Sequence, residues 1–191
     1  MKKNIFIALF GILFTSCSIT NKEKTRNLEK FDKVNLVGNV ELHLERDPNH
    51  SIEIVAKNNS DMVDLITEVR NGELYIYNKK SCGNCKNSKY IIYLNHSGIS
   101  GLNMTGVITL ISEDKINQKD LVISGDGILN GKLEVSVTNL SVNLKGLSNI
   151  NISGYAATSN LKVTGIGIIN AERLETKSSK NVSKGIAMIN K

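Results

Sequence analysis

A glycine followed four residues later by leucine or isoleucine recurs through the second half of this 191-residue chain, usually with Asn directly after. The units read Gly106-Val-Ile-Thr-Leu110, Gly125-Asp-Gly-Ile-Leu129-Asn130, Gly146-Leu-Ser-Asn-Ile150-Asn151, Gly165-Ile-Gly-Ile-Ile169-Asn170 and Gly185-Ile-Ala-Met-Ile189-Asn190. The glycines are 19, 21, 19 and 20 residues apart. A constant interval of this size predicts units that stack on one another, each burying its apolar side against its neighbours.

Each unit has an inside and an outside. Four residues before the glycines stand Leu102, Leu121, Val142, Leu161 and Asn181, and two before stand Met104, Ile123, Leu144, Val163 and Ser183. Two after come Ile108, Gly127, Ser148, Gly167 and Ala187, and four after come Leu110, Leu129, Ile150, Ile169 and Ile189. All share one parity, so in extended chain they point to one face, while the residue just before each glycine is always polar. Units this short hold strands and bends but no helix. The expected fold is therefore all-β, a parallel β-helix with coils of about twenty residues whose strands stack about 4.8 Å apart. The glycines suit its bends. Asn130, Asn151, Asn170 and Asn190 fall at matching corners, where a stacked amide ladder is structural before it is functional. The last coil is weaker, because Asn181 and Ser183 replace apolar residues. Its final rung, Ile186–Lys191, is an edge that invites partner capture or a homo-oligomer.

The first sixteen residues read as an address. Met1-Lys2-Lys3-Asn4 is basic, Ile5 to Phe14 is apolar, and Thr15-Ser16-Cys17 follows. The apolar run is about half of the roughly 20 residues needed to span a bilayer, and the layout is that of a secretory signal peptide. Phe14-Thr15-Ser16-Cys17 resembles the bacterial lipobox, with Phe where Leu is usual. That resemblance implies cleavage before Cys17, lipidation of Cys17 with palmitate-type chains, and anchoring in a membrane that the protein does not span. Ser18, in place of Asp, points to the outer membrane, on its periplasmic or cell-surface side. One acid, Glu23, among residues 18–24 leaves surface display open.

Without residues 1–16 the chain keeps 22 basic and 18 acidic residues. That mild excess is scattered, aromatics are few, and the chain is exported, so nucleic acid is not an expected partner. The five tyrosines, Tyr75, Tyr77, Tyr90, Tyr93 and Tyr155, match no equivalent position of the counted repeats.

The front half reads as strands of the same kind. Phe31 to Leu44 places apolar residues around Gly38 with the parity of the later coils and looks like an initial rung. Ser51–Val55 is a second strand, reached through the turn Asp47-Pro48-Asn49-His50. Asn59–Ile66 is the one expected helix, capped by Asn59 or Ser60. Asn71-Gly72 makes a turn into Glu73–Tyr77, and Tyr90–Leu94 is a further strand. No linker separates the halves, so residues 26–190 are expected to form a single domain after a short tether at 17–25.

These residues reach a known family. An Asn-Leu-x-x-Phe-Asp-x-Val start (Asn27, Leu28, Phe31, Asp32, Val34), then Gly72-Glu-Leu74-Tyr-Ile76, then tandem Gly-x-Gly/Ser-x-Ile/Leu-Asn units resemble the auto-transporter adhesin head GIN domain, common in exported proteins of Bacteroidetes. Gly146-Leu-Ser148 and Gly185-Ile-Ala187 depart from its glycine pairs with other small residues. The resemblance covers roughly residues 26–190 and implies a right-handed parallel β-helix on an envelope protein.

Three constellations bear on chemistry. Cys82-Gly83-Asn84-Cys85 lies in a polar loop, and with Cys17 lipidated the two cysteines make an even pair outside the cytoplasm. A local disulfide is the leading reading; free thiols, half a zinc site and a redox motif are the others. His43, His50 and His96 show no ligand spacing with the cysteines, so no metal is assigned. His43, between Leu42 and Leu44 on a strand, is expected to face solvent. Glu113, Asp114, Asp120, Asp126 and Glu134 occupy non-equivalent positions and form no acidic column. No nucleophile elbow, zinc-protease or phosphate-loop motif is present, so neither catalytic residues nor a cofactor are assigned. The function read here is a non-catalytic, adhesin-like envelope lipoprotein that presents a β-face to a protein or glycan partner. The alternative is a polysaccharide-cleaving enzyme on the same scaffold.

Overall fold

The structure is a computed structural model that describes residues 23–57, 65–79 and 88–191. Their regular elements are β-strands: β1 (Glu23–Asn27), β2 (Lys33–Arg46), β3 (Ser51–Lys57), β4 (Leu65–Arg70), β5 (Glu73–Asn78), β6 (Lys89–His96), β7 (Gly101–Ser112) and β8 (Ile116–Asn190). No described helix is long and apolar enough to cross a membrane. The three cysteines, Cys17, Cys82 and Cys85, lie outside the described residues, as do positions 59–64 of the expected helix. Its last two residues, Leu65 and Ile66, open β4 instead. Pairing with β5 outweighs the local capping signal there.

The right-handed parallel β-helix expected for residues 26–190 is not the architecture. The molecule is a curled, open half-barrel sheet of mixed parallel and antiparallel strands. The path β1-β3-β6-β2-β5-β4 forms its front, with β7 on the other side of β2 and β8 beyond β7. β1/β3, β3/β6 and β4/β5 are antiparallel, whereas β2/β5, β2/β6, β2/β7 and β7/β8 are parallel. For β4 and β5 the physical reason is local, whereas β1/β3 and β3/β6 pair across distant sequence. Asn71 (φ 52°) and Gly72 (φ 75°) close a two-residue turn between Arg70 and Glu73, and such a turn reverses the chain. The curl brings the two edges of the front path together, for Arg26 on β1 donates to the carbonyl and hydroxyl of Thr67 on β4.

β2 is the spine. Its first half, Lys33–Val37, pairs with β5 and its second half, Val40–Arg46, with β6, on either side of Gly38. Lys33–Leu44 also runs in parallel register with Gly101–Ser112, so Gly38 faces Gly106. The next glycine in this column is Gly127, not Gly125: Gly106 pairs with Gly127 and Met104 with Gly125. Gly146 then lies on Gly127, Gly165 on Gly146 and Gly185 on Gly165, at steps of 19, 19 and 20 after a first step of 21. Fully extended, the 75 residues of β8 would reach about 250 Å. The bends at these positive-φ glycines fold it into rows that lie over one another. Gly125 has a different job: a methyl group there would lie 2.3 Å from Leu129 Cδ1, so this small residue makes room for the core.

Inward alternation fills that core. Val34, Leu36, Val40, Leu42 and Leu44 of β2 are buried, as are Ile52 and Ile54 of β3 and Tyr90, Ile92 and Leu94 of β6. Leu129, Ile150 and Ile169 continue the same cluster through β8. Each fully buried aliphatic side chain contributes roughly 1.5–3 kcal/mol. Asn181 and Ser183 are exposed, while Ala187 and Ile189 still pack against the cluster.

Candidate binding face

The outward parity of the front strands builds a polar, aromatic surface. Along one cross-strand row Thr25, Glu53, Tyr93 and His43 stand side by side, and along the next Asn27, Ser51, Asn95 and Glu45. His43 is on the outer face as alternation requires, yet only 14% of its side chain is exposed. Tyr93 covers one side, with ring centroids 4.7 Å apart and planes tilted by 32°. In its protonated form His43 donates from Nδ1 to Glu113 Oε1 at 2.5 Å and from Nε2 to Glu41 Oε1 at 3.1 Å. Partial burial pulls its pKa down, but the two carboxylate hydrogen bonds outweigh it and the net shift is upward. Lys89 Nζ, 3.7 Å from Glu41, adds a further opposite charge.

Beside this cluster, Thr25, Glu45, Ser51, Glu53, Tyr93 and Asn95 line a concavity of about 310 Å³. Tyr93 is 39% exposed there and offers a ring surface among hydrogen-bonding groups. The tyrosines of β5 are occupied differently. Tyr75 donates to Glu73 and Tyr77 to Glu68, and the Arg70 guanidinium lies 5.7 Å from the Tyr75 ring centroid. A wider groove of about 520 Å³ runs between β2 and the start of β8, past Lys33, Asn35, Asn103, Asp120 and Val122.

The rear rows present a different surface. Val107, Ile128, Leu147, Ile166 and Ile186 each follow a glycine of the stacked column and are 42–79% exposed. Ile168 and Met188, two positions further along their rows, widen this aliphatic ladder. Such contiguous exposed apolar side chains mark interaction surfaces in soluble proteins. The expected asparagine column is less regular, because the register places Asn130 opposite Thr109 while Lys132 stands opposite Ile111. Asn170 accepts from the Glu172 amide, and Asn151 and Asn170 help line a cavity of about 220 Å³ with Lys132 and Arg173.

The acids named from sequence are dispersed. Glu113 serves His43, Asp114 accepts from the Arg46 amide, Asp120 from Asn139, and Glu134 pairs with Lys115 at 2.9 Å. His96 is buried just past the Ser51–Asn95 pair that ends the β3/β6 ladder, and its pKa falls to about 4, chiefly through burial and then through nearby His50. Among the described residues no three His, Asp or Glu side chains converge to hold a metal ion. Sequence reasoning passed over both the Tyr93 concavity and the aliphatic ladder. The apolar residue after Gly106, Gly146, Gly165 and Gly185 was the available sign of the ladder.

Comparison with known proteins bears on both fold and family. A family model described as "Putative auto-transporter adhesin, head GIN domain" matches residues 30–190. Among solved structures, one described as a putative adhesin from Bacteroides fragilis superposes with a TM-score of 0.73 at 18% identity, covering 91% of this chain and 97% of that one. A putative adhesin from Parabacteroides distasonis gives 0.78 at 16% identity over 90% and 73%. A "Putative lipid binding protein" from the same species gives 0.62 at 18% over 91% and 97%. No curated protein matches the chain by sequence.

Proposed function

The chain belongs to the auto-transporter adhesin head GIN domain family, and on that premise we propose that it is a non-catalytic, adhesin-like module of the cell envelope which holds a protein or glycan partner on its front rows. The observation that carries this reading is the concavity around Tyr93. An exposed aromatic ring beside Glu45, Ser51 and Asn95 combines a stacking surface with hydrogen-bonding groups on a rigid sheet. Glu41 and Glu113, beside this face, are both engaged by His43, and the carboxylates lining the concavity itself are Glu45 and Glu53. Lipidation at Cys17 with outer-membrane anchoring completes the proposal and rests on the lipobox-like Phe14–Cys17.

The test is retention of residues 18–191 on an array of glycans and on extracellular-matrix proteins, with Tyr93→Ala alongside. Retention of the parent without bond cleavage, lost in Tyr93→Ala, is the expected result. Turnover of any glycan would move the chain to the enzyme class, and equal retention of both proteins would remove the Tyr93 site.

A further inference from the structure

We propose that the aliphatic ladder of the rear rows is a docking strip for an anionic lipid surface. This goes beyond the adhesive reading and stands on other residues. Val107, Ile128, Leu147, Ile166 and Ile186 form one line of exposed side chains, because each follows a glycine pinned onto the glycine of the row before. With rows about 4.8 Å apart, the line runs for about 19 Å.

The charge around the strip selects the occupant. Residues 131–191, which carry Leu147, Ile166 and Ile186, hold eight Lys and Arg against three Asp and Glu. Residues 101–130, which carry Val107 and Ile128, hold two Lys against four Asp and Glu, so the basic end of the strip is its last three rows. Lys145 and Lys184 stand one residue before Gly146 and Gly185, on the same rows as Leu147 and Ile186. Both are exposed, and among the described residues neither has a carboxylate partner. Asp126, before Gly127, is the one acid in that column. A glycan would find no aromatic ring on the ladder to stack against. An anionic bilayer meets both features, since aliphatic side chains enter the acyl boundary while ammonium groups sit among the headgroups.

The experiment uses residues 18–191, so that neither the apolar leader nor a lipid on Cys17 reports on the vesicles. The omitted segment lies outside the family match. Co-sedimentation is measured with vesicles of phosphatidylglycerol and phosphatidylethanolamine, and with vesicles of phosphatidylcholine. The parent should bind the anionic vesicles, and binding should weaken as salt rises. Leu147→Asp with Ile166→Asp should lower the bound fraction about tenfold, given the exclusion of charge from the acyl boundary. Lys145→Glu with Lys184→Glu should abolish the preference for anionic lipid without touching the ladder. Circular dichroism and melting temperature, unchanged in both variants, confirm the fold. Equal sedimentation of parent and variants overturns the proposal. So does concentration-dependent dimerisation lost in the aspartate variant without vesicle binding, which would assign the strip to a second copy. Loss of glycan or protein retention in Tyr93→Ala leaves this result untouched, so the two readings fail separately.

Discussion

Gly127 lies directly on Gly106: a methyl group on Gly127 would stand 2.2 Å from the Gly106 carbonyl oxygen, on a backbone with φ of +125°. The contact and the dihedral both demand glycine, and the same pair sets the register between β7 and β8. Gly127→Ala is therefore expected to destabilise strongly. The strained dihedral alone costs of order 1–3 kcal/mol, before the row shift that the clash forces. Gly72→Ala is the control, since its φ is also positive but nothing lies within 4 Å of the added methyl. Denaturant midpoints compare the two. Equal losses would mean that the close approach contributes nothing.

The core prediction concerns Leu129, Ile150 and Ile169, all at most 3% exposed. Each change to Ala should cost about 2–5 kcal/mol, because a cavity is added to the lost burial. Lys145→Ala, on an exposed outward position, should change stability by less than about 0.5 kcal/mol. A loss at Lys145 as large as at Ile150 would contradict the inward and outward assignment.

Two histidines should shape the acid response in opposite senses. Burial, with His50 and Arg46 nearby, holds His96 near pKa 4 against an ordinary value of 6.5. As pH falls below 6.5 the unfolded chain takes up a proton that the fold refuses. The contribution of neutral His96 is thus complete above 6.5 and lost toward about 4. For His43, burial is outweighed by Glu113 and Glu41, so the folded pKa is raised. Its contribution is complete below 6.5 and fades as pH rises through the folded value. Melting temperature against pH should therefore lose part of its acid-side fall in His96→Asn, and part of its alkaline-side fall in His43→Gln. Profiles that merely move up or down, with unchanged shape, would rule out both titrations.

Lipidation is tested by metabolic labelling with a fatty acid. The wild-type chain should take up label and run shorter by its leader, whereas Cys17→Ala should remain unlabelled and uncut. Label of equal intensity in the two proteins would reject the anchor.

Much of the inside of this protein is legible in the sequence alone. Strict alternation names Leu42, Ile108, Leu129 and Ile169 as inward residues, and Asn71-Gly72 announces the turn into β5, though not that Leu65 and Ile66 before it belong to a strand. Both depend on neighbours a few positions apart. The choice between Gly125 and Gly127 does not. A slip of two residues keeps every side chain on its own face, so parity cannot detect it. What decides is the carbonyl of Gly106 beneath Gly127 and the space that Leu129 takes from Gly125. That slip also hid the aliphatic ladder, because Gly125 is followed by Asp126 while Gly127 is followed by Ile128. The surroundings of Tyr93 are hidden for a related reason: β3–β6 lie between Gly38 and Gly106 in sequence and place Tyr93 beside His43 and Glu53 only through pairing. The fold class was settled at the same level. Periodicity states that rows repeat, but whether two strands run parallel or antiparallel is determined by which edge each one meets. In this chain only β4 and β5 meet as a hairpin, β1 and β6 pair antiparallel with β3 across distant sequence, and the sheet curls until Arg26 reaches Thr67.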